Sequence, residues 1–248
     1  MGLIDLPTKS GLLKVARQQG GSSSGRPLLW VPGFLGTMTG AKVEHLESMK
    51  MTGNVWKFNY SQIGDSRGEL TFKNWFNDAA AVLEHVYKEE QRPVVLVASS
   101  MGAFISLNLA RDDKHRDKIA AMFLCAPARD FMRAQVPQLE SIPGDMVPIP
   151  DTYLHSSGLP GMPKAFFETI APFWIDDGAK LDIDCPVHIL HPELDELCPM
   201  SGSHKLVDAI GSDKAKLEIL TGAKHSMSMP SDLEAFERSL LAFYETIQ

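Results

Sequence analysis

PVVLVASSMG, residues 93–102, is the stretch that decides the fold. Its first half is a continuous, valine-rich apolar run, the pattern of a parallel strand buried on both faces. From Met101 to about Ala110 the sequence reads as a helix with no proline to break it. A strand that passes straight into a helix through a serine has the form of a G-x-S-x-G elbow. There the serine sits on a tight, strained turn and its hydroxyl projects above the sheet. Strand and helix backbones crowd at such a turn, so the residues two before and two after the serine must be small. Ala98 and Gly102 meet that demand around Ser100, and no such pair surrounds Ser99. Ser100 is the expected nucleophile. The N–H of Met101, at the positive end of the helix, is an expected oxyanion donor.

Outward from the elbow, strands and helices alternate. RPLLWVPGFLG begins as a strand over Leu28 to Val31 and breaks at Pro32-Gly33. The short GGSSSG run (20–25) before it reads as a flexible turn. GNVWKFNY (53–60) is the next strand. Over 71–90, Phe72, Trp75, Phe76, Ala79, Leu83, Val86 and Tyr87 recur at the spacing of one helix face. IAAMFLCAPA (119–128), VHILHPEL (187–194) and KLEIL (216–220) are further strands. A last helix is expected to start with Ser231 as N-cap and Glu234 completing a capping box. The alternation predicts one α/β domain over 1–248, with a mostly parallel sheet covered on both faces. Residues 129–184 interrupt it. They are rich in proline and carry Phe131, Met132, Tyr153, Phe166, Phe167, Phe173 and Trp174. So long a stretch without structure of its own is unusual in a compact domain. The expectation is a partly helical cap over the carboxyl edge of the sheet, where open α/β sheets bind ligands.

A serine hydroxyl needs a base within hydrogen-bond reach and a carboxylate to hold that base. With an elbow serine the chain order is serine, acid, histidine. Asp195, in HPELDELCP (191–199), lies on the loop beyond a strand. His225, in GAKHSMSMP (222–230), follows the last strand. These are the expected acid and base. Glu193 and Glu196 flank Asp195 and compete with it or are merely solvated. Asp182 and Asp184 precede the strand, at the wrong end of the sheet. His188 and His191 fall within or at the exit of a strand and read as core or supporting residues. His45, His85 and His115 read as solvated on surface helices. WVPGFLG (30–36) is the expected oxyanion loop, with Gly33 for close backbone approach and the Phe34 N–H as second donor.

Composition narrows the function classes. The 248 residues carry a formal net charge of −7, which disfavours nucleic-acid phosphates and anionic lipid surfaces as partners. Three cysteines, Cys125, Cys185 and Cys198, match no zinc or CxxC spacing and read as buried thiols of a reducing compartment. No metal-ligand cluster or phosphate loop is evident, so hydrolysis without a cofactor or metal is expected. The first residues lack the features of a secretory signal or an arginine-rich presequence, and no apolar run is long enough to span a bilayer. A cytoplasmic protein with no stable membrane insertion is expected. Nothing in the sequence bears on oligomeric state.

PGFLGTMTGAKVEHL (32–46), TFKNWFNDA (71–79) and ASSMG (98–102) together resemble the mitochondrial S-depalmitoylase and acyl-glucuronide esterase branch of the α/β-hydrolases. The likeness runs from about Leu28 to the last helix and is weakest in the cap. It implies the α/β-hydrolase fold, the triad Ser100, Asp195 and His225, and action on esters or acyl thioesters, of small molecules or of acylated proteins. It also raises a mitochondrial location as the alternative to a cytoplasmic one. Phe34, Phe131, Phe173 and Trp174 are expected to line an apolar acyl pocket. Arg129 and Arg133 are either solvated, the preferred reading, or pair with a substrate carboxylate. A C–C hydrolase, an acylglycerol lipase, or a hydrolase-derived ligand receptor with little turnover are the alternative functions.

Overall fold

The computed structural model describes residues 2–22, 24–134, 136–149, 159 and 161–247. Among these, eleven strands and six α-helices follow one another as β1 (Gly2–Pro7), β2 (Gly11–Gln18), β3 (Leu28–Val31), α1 (Ala41–Ser48), β4 (Val55–Phe58), β5 (Arg67–Gly68), α2 (Phe72–Glu90), β6 (Val94–Ser99), α3 (Met101–Ala110), β7 (Ile119–Cys125), β8 (Met146–Val147), β9 (Met162–Pro163), α4 (Lys164–Glu168), β10 (Val187–Pro192), α5 (Met200–Ile210), β11 (Ala215–Leu220) and α6 (Pro230–Glu245). The main sheet has the order β1-β2-β4-β3-β6-β7-β10-β11, with β5 added to β2. The pairs from β4 to β11 are parallel; β1, β2 and β5 join antiparallel at one edge. This is the α/β-hydrolase architecture, a parallel sheet with helices on both faces.

The central strands are buried along their whole length, as an apolar run without alternation requires. One core, holding Leu29, Val31, Leu96 and Ala98, packs against α2 and α3; the other, holding Trp30, Val95, Val97 and Phe123, packs against α1 and α6. Helix α2 starts where Thr71 accepts a hydrogen bond from the N–H of Asn74, and it ends at Gln91 in the left-handed region. Its N-terminal half anchors the site loop. Trp75 Nε1 donates to the Ser61 carbonyl at 2.9 Å, and its ring stacks on Tyr60, whose hydroxyl donates to the Pro32 carbonyl at 3.2 Å. Asp78 accepts from Ser10 Oγ and from the N–H of Ser61. The Asn-Trp-x-x-Asp pattern therefore fastens α2 to the segment after β4 and, through Tyr60, to the loop after β3.

Several sequence expectations change. Helix α6 begins two residues early: Met229 is the N-cap, Pro230 is its first residue, and Asp232 rather than Glu234 accepts from the N-cap N–H at 3.1 Å. Proline at that position needs no donor and has the right φ, which outweighs the preference for serine at the cap. His115 is buried, beside Phe76 and Glu84, rather than solvated. His85 packs edge-on against Trp56, and His45 pairs with Glu237 at 2.7 Å.

The segment 129–184 contains the β8–β9 hairpin, α4 and two short 3₁₀ turns, Val136–Ser141 and Ala171–Phe173. Tyr153 lies outside the described residues. Arg129 begins this segment and is 3% exposed. Its guanidinium donates to Asp130, Asp177 and the Ile175 carbonyl at 2.6–2.9 Å. Arg133 donates to Asp176 and lies over the Trp174 ring. Arg129 is therefore not solvated as expected, whereas Arg133 keeps 32% of its side chain exposed; both tie the two ends of the segment together.

Candidate active site

The elbow is built by backbone crowding. Ser100 has φ 54° and ψ −116°, outside the regions ordinary residues prefer. Its N–H donates to the Cys125 carbonyl of β7 at 2.8 Å, and its carbonyl accepts from Ala103 and Ala128. A Cβ on Gly102 would stand 2.2 Å from the Val31 carbonyl oxygen and 2.5 Å from that of Pro32. The second small position is therefore glycine by necessity. At Ala98, the last but one residue of β6, a methyl group is accommodated in the core.

Ser100 Oγ lies 3.0 Å from His225 Nε2, and His225 Nδ1 lies 2.7 Å from Asp195 Oδ2. The two loops that carry the histidine and the acid are laced together. Glu193 N–H donates to the Leu220 carbonyl, Leu194 N–H to that of Ala223, and Gly222 N–H to the Glu193 carboxylate, each at 2.9 Å. Met227, fully buried, and Lys42, whose ammonium donates to the Ser226 carbonyl, fix the far side of the histidine loop. Among the carboxylates near the strand end, Asp195 faces the histidine, while Glu193 serves the turn at Gly222. Asp182 and Asp184 pair with Arg116 and Lys214, away from the histidine.

The Asp195 side chain is 1% exposed. Burial pushes its pKa up, but hydrogen bonds from His225 and from the N–H groups of Cys198 and Leu197 outweigh that and hold it below the ordinary value. It is ionised at neutral pH. His191 supports the same loop: Nε2 donates to the Cys198 carbonyl at 3.0 Å, which leaves Nδ1 to accept from Ser203 Oγ at 2.8 Å. Burial keeps His191 neutral.

The loop after β3 presses on the elbow. A Cβ at Gly33 would lie 3.2 Å from the Ser99 carbonyl oxygen and 3.5 Å from Ser100 Cβ, so Phe34 follows directly beside the serine. Met101 is the first residue of α3, and its N–H has no carbonyl a turn earlier to bond. A cavity of about 520 Å³ opens here. It is lined by Gly33, Phe34, Thr37 to Val43 without Met38, Ser99, Ser100, Leu194, Glu196, Leu197 and Lys224 to Ser226, with Trp30, Pro32 and Gly36 beneath.

Of the residues expected to line the pocket, only Phe34 does so. Phe131 sits behind it, ring centroids 5.4 Å apart. Phe173 packs on Phe72 and Phe76, and Trp174 donates its indole N–H to the Phe131 carbonyl. Phe131 and Phe173 fill the seam against α2, which is apolar on both sides, and Trp174 packs within the segment under Arg133. Leu194, Leu197 and Lys42 line the cavity instead, and the sequence reading passed over them as lining residues. The signal was available for the leucines: two apolar residues on an acidic loop, in LDEL, have no buried face to explain them. For a metal, Asp195, Cys198 and His225 each present a donor atom, all within 4.8 Å of one another.

The family model for serine aminopeptidases of the S33 group matches residues 60–158, which include α2, the elbow and β7. The chain is similar to the mitochondrial palmitoyl-protein thioesterase ABHD10 of Rattus norvegicus, 26% identical over 220 residues that make up 83% of this chain and 71% of the relative. The Homo sapiens protein of the same name is 24% identical over 223 residues, 84% of this chain and 69% of the relative. Among solved structures, mouse α/β-hydrolase domain-containing protein 10 superposes with TM-score 0.83 at 23% identity, each chain fully covered. A putative hydrolase from Agrobacterium vitis S4 gives TM-score 0.80 at 24% identity, with 100% of this chain and 98% of that one covered. Sheet order, elbow and these likenesses agree on the α/β-hydrolase fold, and among curated proteins the chain is similar to the ABHD10 thioesterases.

Proposed function

We propose that this protein is a serine hydrolase that cleaves carboxylic esters or acyl thioesters through Ser100, His225 and Asp195. The observation that carries the reading is the unbroken hydrogen-bonded line from Ser100 Oγ through His225 to a buried, ionised Asp195. Asp195 holds the imidazole with Nδ1 protonated, so Nε2 is free to accept the serine proton. Ser100 attacks the acyl carbonyl, and the developing oxyanion is held by the N–H groups of Met101 and Phe34. Each such donor contributes about 3 kcal/mol to the transition state in comparable sites. His225 then protonates the leaving group, and water cleaves the acyl-enzyme by the same route.

The curated relatives are named as palmitoyl-protein thioesterases of mitochondria. An acyl thioester fits the apolar wall of the cavity, where Leu194 is 51% and Leu197 62% exposed beside Ser100. An acyl chain lying on these leucines covers surface that is otherwise costly to leave in water. The described residues of 129–184 act as a cap that packs on α2 and backs Phe34. No helix among the described residues is long and apolar enough to cross a membrane. The mitochondrial names of the relatives favour that compartment over the cytoplasm for this chain.

Ser100→Ala decides the reading. With p-nitrophenyl and S-acyl substrates of matched chain length, kcat should fall by about 10⁴-fold or more while the circular dichroism stays that of the wild type. Near-wild-type turnover in that variant contradicts the assignment. A wild-type preference for the oxygen ester over the matched thioester counts against the thioesterase reading alone.

A further inference from the structure

Cys198 takes no part in the proposed reaction, yet its side chain lies among the residues that do. It follows Asp195 by three residues, and its backbone N–H holds Asp195 Oδ1 at 2.8 Å. That bond curls the loop and turns the thiol inward, leaving the residue 9% exposed. The Ser100 hydroxyl is close enough to lower the pKa of this thiol, although burial and the Asp195 charge together push it up to about 12. One donor atom each from Asp195, Cys198 and His225 falls within 4.8 Å of the others.

Sulfur, imidazole nitrogen and carboxylate oxygen are the donor set of a borderline-soft divalent cation. Tetrahedral zinc, with bonds of about 2.0–2.3 Å, sets its donors roughly 3.3–3.6 Å apart, so a closure of about 1 Å completes the site. His225, the most exposed of the three side chains, has room to supply it. A thiolate, a carboxylate and a neutral imidazole sum to −2, which matches the ion and leaves a neutral cluster in a half-buried place. Magnesium and calcium, which need six or more oxygen ligands, find only one carboxylate.

We propose that Asp195, Cys198 and His225 form an inhibitory site for a thiophilic divalent cation such as Zn²⁺. As the metal–sulfur bond forms, the Cys198 proton passes to solvent; no electron is transferred. Ser100 Oγ or a water fills the fourth position. Once Asp195 and His225 are ligands, the imidazole is no longer held to accept the serine proton, so turnover stops. The effect on rate rests on the triad reading, whereas the binding does not.

The test separates the two. Ser100→Ala protein, titrated with Zn²⁺ by calorimetry, should take up one ion per chain. With Cd²⁺ it should show the ultraviolet band of a cadmium–thiolate bond. Adding Cys198→Ala to that protein should abolish the band and weaken Zn²⁺ binding by about tenfold or more. In the active enzyme, buffered Zn²⁺ should inhibit hydrolysis of a neutral short ester and Mg²⁺ should not. Cys198→Ala, scaled to its own metal-free rate, should need about tenfold or more Zn²⁺ for the same inhibition. Equal sensitivity of the two proteins, or metal uptake without the cadmium–thiolate band, overturns the proposal. If Ser100→Ala keeps its turnover, the triad reading fails, and the calorimetry and absorbance still report on the site.

Discussion

At Gly102 a Cβ would meet two carbonyl oxygens at 2.2 and 2.5 Å, both on the backbone of the segment that leads to Phe34. Neither atom can rotate away. Gly102→Ala is expected to cost about 1–3 kcal/mol, the scale of overpacking, and to displace the loop that bears Phe34, the proposed second oxyanion donor. Activity should therefore fall further than the shift in melting temperature accounts for. An active, equally stable Gly102→Ala protein contradicts the account of the elbow. This steric demand was legible in the sequence, because ASSMG sits where a valine-rich strand meets a helix. The tolerance at Ala98 was legible for the same reason. Cys198 was not: its relation to Ser100 depends on a loop curled by the hydrogen bonds of Asp195, and no residue spacing records that curl.

Between elements, two features bear on what the proposed cap and the Asp195 loop do. Arg129 joins the two ends of the cap segment, with Asp130 on one side and Ile175 and Asp177 on the other. Its buried guanidinium is spent on these partners and none of its bonds reaches the cavity. Arg129→Ala should destabilise the protein by about 1–3 kcal/mol, the cost of lost buried hydrogen bonds. It should lower kcat/KM by the same factor for neutral and carboxylate-bearing esters. A selective loss on the carboxylate substrate would restore the pairing role weighed from the sequence. On the acid loop, Leu194 and Leu197 line the cavity from outside the cap. Replacing both with serine should reduce kcat/KM about tenfold or more for long acyl chains and little for acetyl esters, since each removes apolar contact of about 1–2 kcal/mol. The reverse chain-length dependence would return the acyl site to the cap. The sequence showed the cap aromatics as apolar but not their direction. Phe173 faces α2 because that helix offers Phe72 and Phe76, a pairing fixed only by the chain's return over the sheet.

Across the molecule, the alternation of strands and helices was readable because parallel strands buried on both faces leave continuous apolar runs. The antiparallel strands β1 and β2, at one side of the sheet, mix exposed and buried residues and left no such trace. Burial also sets how stability depends on pH. His115, His188 and His191 are all held below the ordinary histidine value of 6.5, first by burial. Each stays neutral in the folded chain and takes up a proton near 6.5 in the unfolded one, so stability is lost as pH falls below about 6.5. The melting temperature should be lower at pH 5.5 than at 7.5, and His188→Gln should flatten that difference. A higher melting temperature at pH 5.5 contradicts this. All these features serve one arrangement, in which the sheet, two laced loops and the α2-anchored loop converge on Ser100. Its most direct test is rapid-quench mass spectrometry during turnover of a p-nitrophenyl ester. The account predicts one acyl group per chain, mapped to the peptide that contains Ser100. Turnover with no acyl adduct, or an adduct on another residue, would contradict it.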